Sequence, residues 1–229
     1  TLICCGAAAF LLGLGGQAQA ADFFAPLPKV TPAPTDTAGH PDNFYKSDKV
    51  TKTTVFFNNI YDMKVAGNLF VPKNLKAGEK LPAIVVGHPM GAVKEQSSDL
   101  YAQKMAEKGF VTLAIDLSYW GQSAGTPRNS VNPDTYAEDF SAAVDYLGTQ
   151  GFVNRDKIGV LGICGSGSFV ISAAKIDPRI KAVATVSMYN MGNANRWGLN
   201  KSQSVEQRKA VLEAAAKERW AEVDGAPTA

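Results

Sequence analysis

Cysteine, histidine and concentrated charge are all scarce in this chain of 229 residues, which holds three cysteines and two histidines. Lys and Arg (23) nearly balance Asp and Glu (21), for a net charge of +2. The basic residues are dispersed, with no Lys/Arg run and no interleaved aromatics, so the electrostatic footprint of a nucleic-acid binder is missing. No His/Cys/Asp cluster has metal-ligand spacing, and no metal or organic cofactor is implied. Long apolar runs are missing too: the longest, residues 7–14, is short for a bilayer and is followed by glycines. What remains, 45% hydrophobic and 19% charged residues, is an ordinary globular profile that suits one domain with a sizeable core.

The first 21 residues, TLICCGAAAFLLGLGGQAQAA, carry no charge and include Ala18-Gln19-Ala20, a small-residue cleavage site. They read as a secretory signal peptide, residues 1–20, lacking its initiating Met and basic start. This predicts an exported protein, in the bacterial periplasm or secreted, with no membrane attachment after cleavage. Cys4 and Cys5 precede the apolar run, whereas a lipid-modified cysteine would follow it. Cleavage removes both and leaves Cys164 alone, without a partner for an internal disulfide.

Residues 21–50 are rich in Pro, Thr and Asp and read as an N-terminal extension; His40 there is a solvated loop histidine. KTTVFFNN and MKVAGNLFVP alternate and favour β-branched or aromatic residues, which predicts an antiparallel strand pair at a sheet edge. AIVVGH, FVTLAID, KIGVLGI and KAVATVS are continuous apolar strands of the kind covered on both faces. Between them, Ser97 or Ser98 can cap a helix whose Tyr101 and Met105 share a face. Pro133 opens another, with Tyr136, Phe140, Val144 and Leu147 at helical spacing. Strand–helix alternation predicts an α/β fold with a doubly wound, mostly parallel sheet over residues 51–200. Sites in such sheets lie at the carboxyl ends of the strands, where His88, Asp116, Cys164 and Ser187 all fall. Residues 201–229 turn polar and helical, with Val205, Leu212, Ala216, Trp220 and Val223 in one stripe.

In VLGICGSGSFV an apolar strand runs into small residues around Cys164. A nucleophile elbow needs strand, tight turn and helix, with small residues two before and two after the apex. Centred on Cys164 those are Gly162 and Ser166. Centred on Ser166 they are Cys164 and Ser168, also small, but the apex then falls inside the helix. Cys164 is the better centre. A dinucleotide loop fails, because Gly162, Gly165 and Gly167 do not fit G-x-G-x-x-G. A buried space-filling role for the thiol is the plain competitor.

GHPMGAVKEQSS, AIDLSYWGQSAGTPRN, DFSAAVDYL and IGVLGICGSG together resemble the dienelactone-hydrolase-like group of α/β-hydrolases, and within it a bacterial esterase-like branch with Cys at the elbow. The resemblance implies a hydrolase cleaving an ester, lactone or related acyl bond of a small-molecule substrate through a covalent acyl-enzyme on Cys164. It implies an oxyanion hole from the N–H of Gly165 and, because Pro89 has none, that of Met90. Gly162 and Ser166 would support the elbow, and His88 and Asp116 would brace loops. Tyr119 and Trp120 are candidates for the pocket wall by position. The family's acid and histidine follow later strands, and no histidine follows Cys164. The expectation is therefore a fragment truncated after about four parallel strands, with 201–229 the start of a helical insertion or lid, and weakly active or inactive alone. Two other readings stand: an acyl or peptidyl transferase on the same fold, and a non-catalytic binding protein that kept the fold.

Overall fold

A computed structural model describes residues 42–227. The signal-peptide segment, Cys4, Cys5 and His40 lie outside the described residues.

The elements run β1 (Val50–Asn58), β2 (Lys64–Pro72), β3 (Leu81–Gly87), α1 (Ser97–Ala106), β4 (Val111–Ile115), α2 (Pro133–Thr149), β5 (Val153–Ile163), α3 (Ser166–Ile176), β6 (Ile180–Val186), α4 (Met191–Trp197) and α5 (Val205–Val223). One six-stranded sheet has the order β1-β2-β4-β3-β5-β6. β1 and β2 form the expected antiparallel pair at one edge, and β2 also meets β4 antiparallel. β4, β3, β5 and β6 are mutually parallel. The α/β doubly wound reading holds.

The apolar strands are buried on both faces because their side chains alternate between two cores. Val85, Leu113 and Val160 point into a large core shared with α2 and α3, through Phe140, Val144, Phe169 and Val170. Their neighbours Val86, Ala114 and Leu161 point the other way, against Ala102 and Ala106 of α1. Tyr136 and Phe140 of α2 are fully buried, as their spacing predicts, and Asn132 caps this helix by accepting from the N–H groups of Asp134 and Thr135.

Helix α1 differs from expectation. Its buried face is Ser98, Asp99, Ala102, Gln103 and Ala106, while Tyr101 and Met105 are half-buried. Small alanines let the helix approach the sheet closely, Tyr101 packs at the margin of the same core, and Asp99 enters with Lys52 and Asn68 as partners. Neither Ser97 nor Ser98 is the cap: Gln96 precedes the helix with no side-chain cap bond. At the other end of the sheet β6 is an edge strand, exposed from Lys181 to Thr185. The apolar stripe of α5 buries no residue.

Candidate active site

The carboxyl ends of the four parallel strands come into line because their register pairs Gly87 with both Ile115 and Gly162, and Ile163 with Val186. The next residues therefore stand in the order Asp116, His88, Cys164, Ser187 along one rim of the sheet. The sequence predicts this gathering from strand ends separated by up to a hundred residues of chain.

At Cys164 the backbone turns sharply, with φ of 53° at a non-glycine residue, a sparsely populated conformation that persists only where surroundings enforce it. The enforcement is visible. Cys164 N–H donates to Val186 O at 2.9 Å, and its carbonyl accepts from Gly167 N–H at 3.1 Å and Tyr189 N–H at 3.3 Å. α3 starts immediately after, with Gly165 as its cap residue. A Cβ at residue 162 would lie 2.4 Å from the carbonyl oxygen of Ser166, so the turn closes only over glycine. Cys164 at the apex is half-buried, packed along one side against the core that α1 covers, and in no disulfide. Ser166, the competing centre, is fully buried and donates its hydroxyl to the carbonyl of His88. Ser168 likewise donates to Tyr189 O.

Across the turn lies the loop after β3. Ala92 N–H donates to Pro89 O at 3.1 Å, which makes Pro89–Ala92 a tight turn with Gly91 at φ 76° in the third position. Met90, the second residue of that turn, packs against the elbow: a Cβ on Gly165 would stand 3.2 Å from Met90 Cβ and 3.4 Å from Met90 N. The N–H groups of Met90 and Gly165 donate to no other group among the described residues. Two unengaged, neighbouring backbone donors beside a half-buried cysteine can stabilise a developing oxyanion.

His88 is fully buried. Its Nε2 accepts from Leu117 N–H at 3.1 Å, so the proton sits on Nδ1, which donates to Pro89 O at 2.7 Å. Burial pushes its pKa below the usual histidine value, against the pull of Asp116, and a neutral ring fits both bonds. The Pro89 carbonyl and the Met90 N–H belong to one planar, trans peptide unit. Gripping that oxygen from His88 and Ala92 therefore fixes where the Met90 N–H points. With both nitrogens occupied, His88 has no lone pair left to take a proton from a thiol.

Asp116 is also fully buried and accepts three hydrogen bonds: from Lys94 N–H (2.8 Å), Lys94 Nζ (2.6 Å) and Gln122 N–H (3.0 Å). Arg128 donates to the carbonyls of Gly121 and Ser123, closing the loop that carries Tyr119 and Trp120. Tyr119 sits at φ 74°, and Trp120 Nε1 is bonded to Tyr136 Oη at 2.6 Å and Ser130 O at 3.2 Å. Met188, from the loop after β6, leans over Gly167 at the start of α3. The sequence reading missed Lys94, Arg128 and Met188. A lysine in a polar loop signals solvent, and only the fold reveals its buried partner 22 residues away.

Among the described residues no group of three or more His, Cys, Asp or Glu side chains is placed to hold a metal ion. No helix of the described residues is long and apolar enough to cross a membrane.

Comparison with known proteins places this architecture. An uncharacterized protein of Pseudomonas aeruginosa is 51% identical over 181 residues, 79% of this chain and 48% of the relative. Its crystal structure superposes with a TM-score of 0.79 at 46% identity, covering 86% of this chain and 60% of that one. A thiohydrolase of Aspergillus aculeatus is 31% identical over 61% of this chain and 42% of its own length. A polyketide transferase of a Penicillium species is 25% identical over 76% of this chain and 54% of its own. Its crystal structure, described as an α/β-hydrolase, matches with a TM-score of 0.64 at 25% identity, over 78% and 57% of the two chains. The chain spans about half the length of the curated relatives it matches, 48%, 51% and 42% for three of them. The dienelactone hydrolase family model matches residues 65–218. This chain belongs to the dienelactone hydrolase family.

Proposed function

We propose that Cys164 is the nucleophile of an acyl-transfer enzyme that opens an ester, lactone or thioester of a small apolar-tailed molecule. The observation that carries this reading is the strained apex at Cys164 (φ 53°), with two unengaged N–H groups, Met90 and Gly165, at its side. In the acylation step the Cys164 Sγ–carbonyl bond forms, and the carbonyl oxygen gains charge between the two N–H groups. The bond to the leaving oxygen or sulfur then breaks, and the thiol proton, passed through solvent or a base, ends on the departing alcohol or thiol. Each oxyanion donor is worth roughly 10²–10³ in rate in enzymes of this chemistry.

His88 is not that base, since both ring nitrogens are committed. The imidazole and acid of a full cycle are assigned, in this reading, to the part of the relatives' length that this chain does not span. Their activation of the thiol separates rapid turnover from slow, stoichiometric acylation. The pocket wall is assigned to Met90, Tyr119, Trp120 and Met188, whose apolar surfaces suit an acyl chain.

Hydrolysis is the first reading. Transfer to an acceptor other than water is the second, supported by the relative named a polyketide transferase and by another named an acyltransferase. Incubation with 4-nitrophenyl butyrate tests the nucleophile: one equivalent of 4-nitrophenolate per chain is expected, and none above background from Cys164→Ala. An equal burst from both chains overturns the assignment. Adding an alcohol acceptor, which does not cleave a thioester unaided at neutral pH, separates the two readings, because only a transferase diverts the acyl group to it in preference to water.

A further inference from the structure

The loop that carries Met90 is held at both ends by consecutive residues of one partner segment. At its start, His88 accepts from the N–H of Leu117. At its end, Lys94 binds Asp116 twice, through its own N–H to Oδ1 at 2.8 Å and through Nζ to Oδ2 at 2.6 Å. Pro89–Val93 is thus strung between two anchors that are neighbours in the chain leaving β4.

Lys94 is unusual for a loop lysine. Its side chain is fully buried, as is that of Asp116, and lysines are almost never fully buried unless paired. Its three ammonium protons have three partners: Asp116 Oδ2, Gln122 Oε1 at 2.8 Å and Glu95 Oε1 at 2.7 Å. Burial works against this charge, yet Asp116 and Glu95 outweigh it and hold the pKa above the usual lysine value. A charged, fully bonded ammonium has no lone pair for base or nucleophile chemistry. A buried ion pair is also a weak source of net stability, because desolvation consumes much of its attraction. Its geometric consequence is clear: it fixes the far end of the loop whose second residue presents the Met90 N–H.

We propose that Lys94, clamped on Asp116, is a positioning residue for the oxyanion hole, holding the Met90 N–H at the distance and angle that the acylation step needs. The proposal rests on the nucleophile reading above.

The test compares two reactions of the same thiol. Acylation by 4-nitrophenyl butyrate develops an oxyanion; alkylation by iodoacetamide displaces iodide at a saturated carbon and develops none. In the full chain, Lys94→Met is expected to slow acylation of Cys164 about 10- to 100-fold, the scale of an ångström-level misplacement, and to leave alkylation within about twofold. Because Lys94→Met strands the Asp116 charge, Lys94→Met/Asp116→Asn is measured beside it; it removes both charges and keeps the apolar stem's volume, and the same selective loss is expected. A purely structural role predicts that the two rates fall together or that neither changes, and either result in the folded variants overturns the proposal. If the unsubstituted chain alkylates but never acylates at Cys164, the nucleophile reading fails first and this one with it. Equal acylation of native and variant chains refutes only the role of Lys94.

Discussion

Ser166 donates its hydroxyl to the main-chain carbonyl of His88. One hydrogen bond thus ties the first turn of α3 to the end of β3, across the two strands that frame the candidate site. It also removes Ser166 from the list of free nucleophiles, since the side chain is fully buried and its proton is engaged.

Ser166→Ala should therefore fold, lose about 1–3 kcal/mol from the buried carbonyl left without a partner, and still acylate at Cys164. Thermal unfolding gives the first value and the ester burst the second. A burst abolished in a folded Ser166→Ala chain would move the nucleophile to Ser166.

Gly162 has a different role from the other small residues of the elbow. A methyl group there would meet the Ser166 carbonyl carbon and oxygen at 2.6 and 2.4 Å, and both belong to backbone that cannot swing aside. Gly162→Ala should cost about 1–3 kcal/mol, as overpacking of a close-packed site does. Denaturant unfolding of the two chains checks this. A loss under about 0.5 kcal/mol would show that the turn has slack and that the apex at Cys164 is not strained.

Asp139 of α2 gives the fold a pH dependence. It is fully buried and accepts from Asn59 Nδ2 at 2.8 Å, Ser118 N–H at 2.7 Å and Ser118 Oγ at 2.8 Å. Burial pushes its carboxyl up from 3.8 to about 7, overriding those bonds. Between these two values the folded chain holds more proton than the unfolded one. The stabilising contribution of protonated Asp139 is thus complete below about pH 4 and is lost as pH rises through 7. Asp139→Asn carries no such proton. Its melting temperature relative to the native chain should climb between pH 5 and pH 8, measured by paired scans. A constant gap would contradict the shift.

The four parallel strands, the antiparallel pair and the gathering of residues 88, 116, 164 and 187 were legible because each depends on a local signal. Unbroken apolar runs mark strands covered on both faces, and small residues flanking Cys164 mark a turn too tight for larger ones. What escaped was what only distance in sequence creates. Lys94 reads as a solvated loop lysine until β4 brings Asp116 to it. Arg128 looks like a loop charge but closes the Tyr119 loop through two carbonyls. The start of helix α1 escaped as well: neither Ser97 nor Ser98 caps it, and Gln96 precedes it without a side-chain cap bond. The neutral, doubly hydrogen-bonded state of His88 is likewise invisible without the positions of Leu117 N–H and Pro89 O.

The central claim is that the thiol at the elbow takes up the acyl group, and the most direct measurement is to find that group. The chain is treated with 4-nitrophenyl butyrate, digested, and mapped by peptide mass, with Cys164→Ala as control. The account predicts one butyryl group per chain on the peptide containing Cys164, removed by hydroxylamine at neutral pH as a thioester is. A butyryl group on a serine or lysine, with Cys164 unmodified and still open to iodoacetamide, would contradict it.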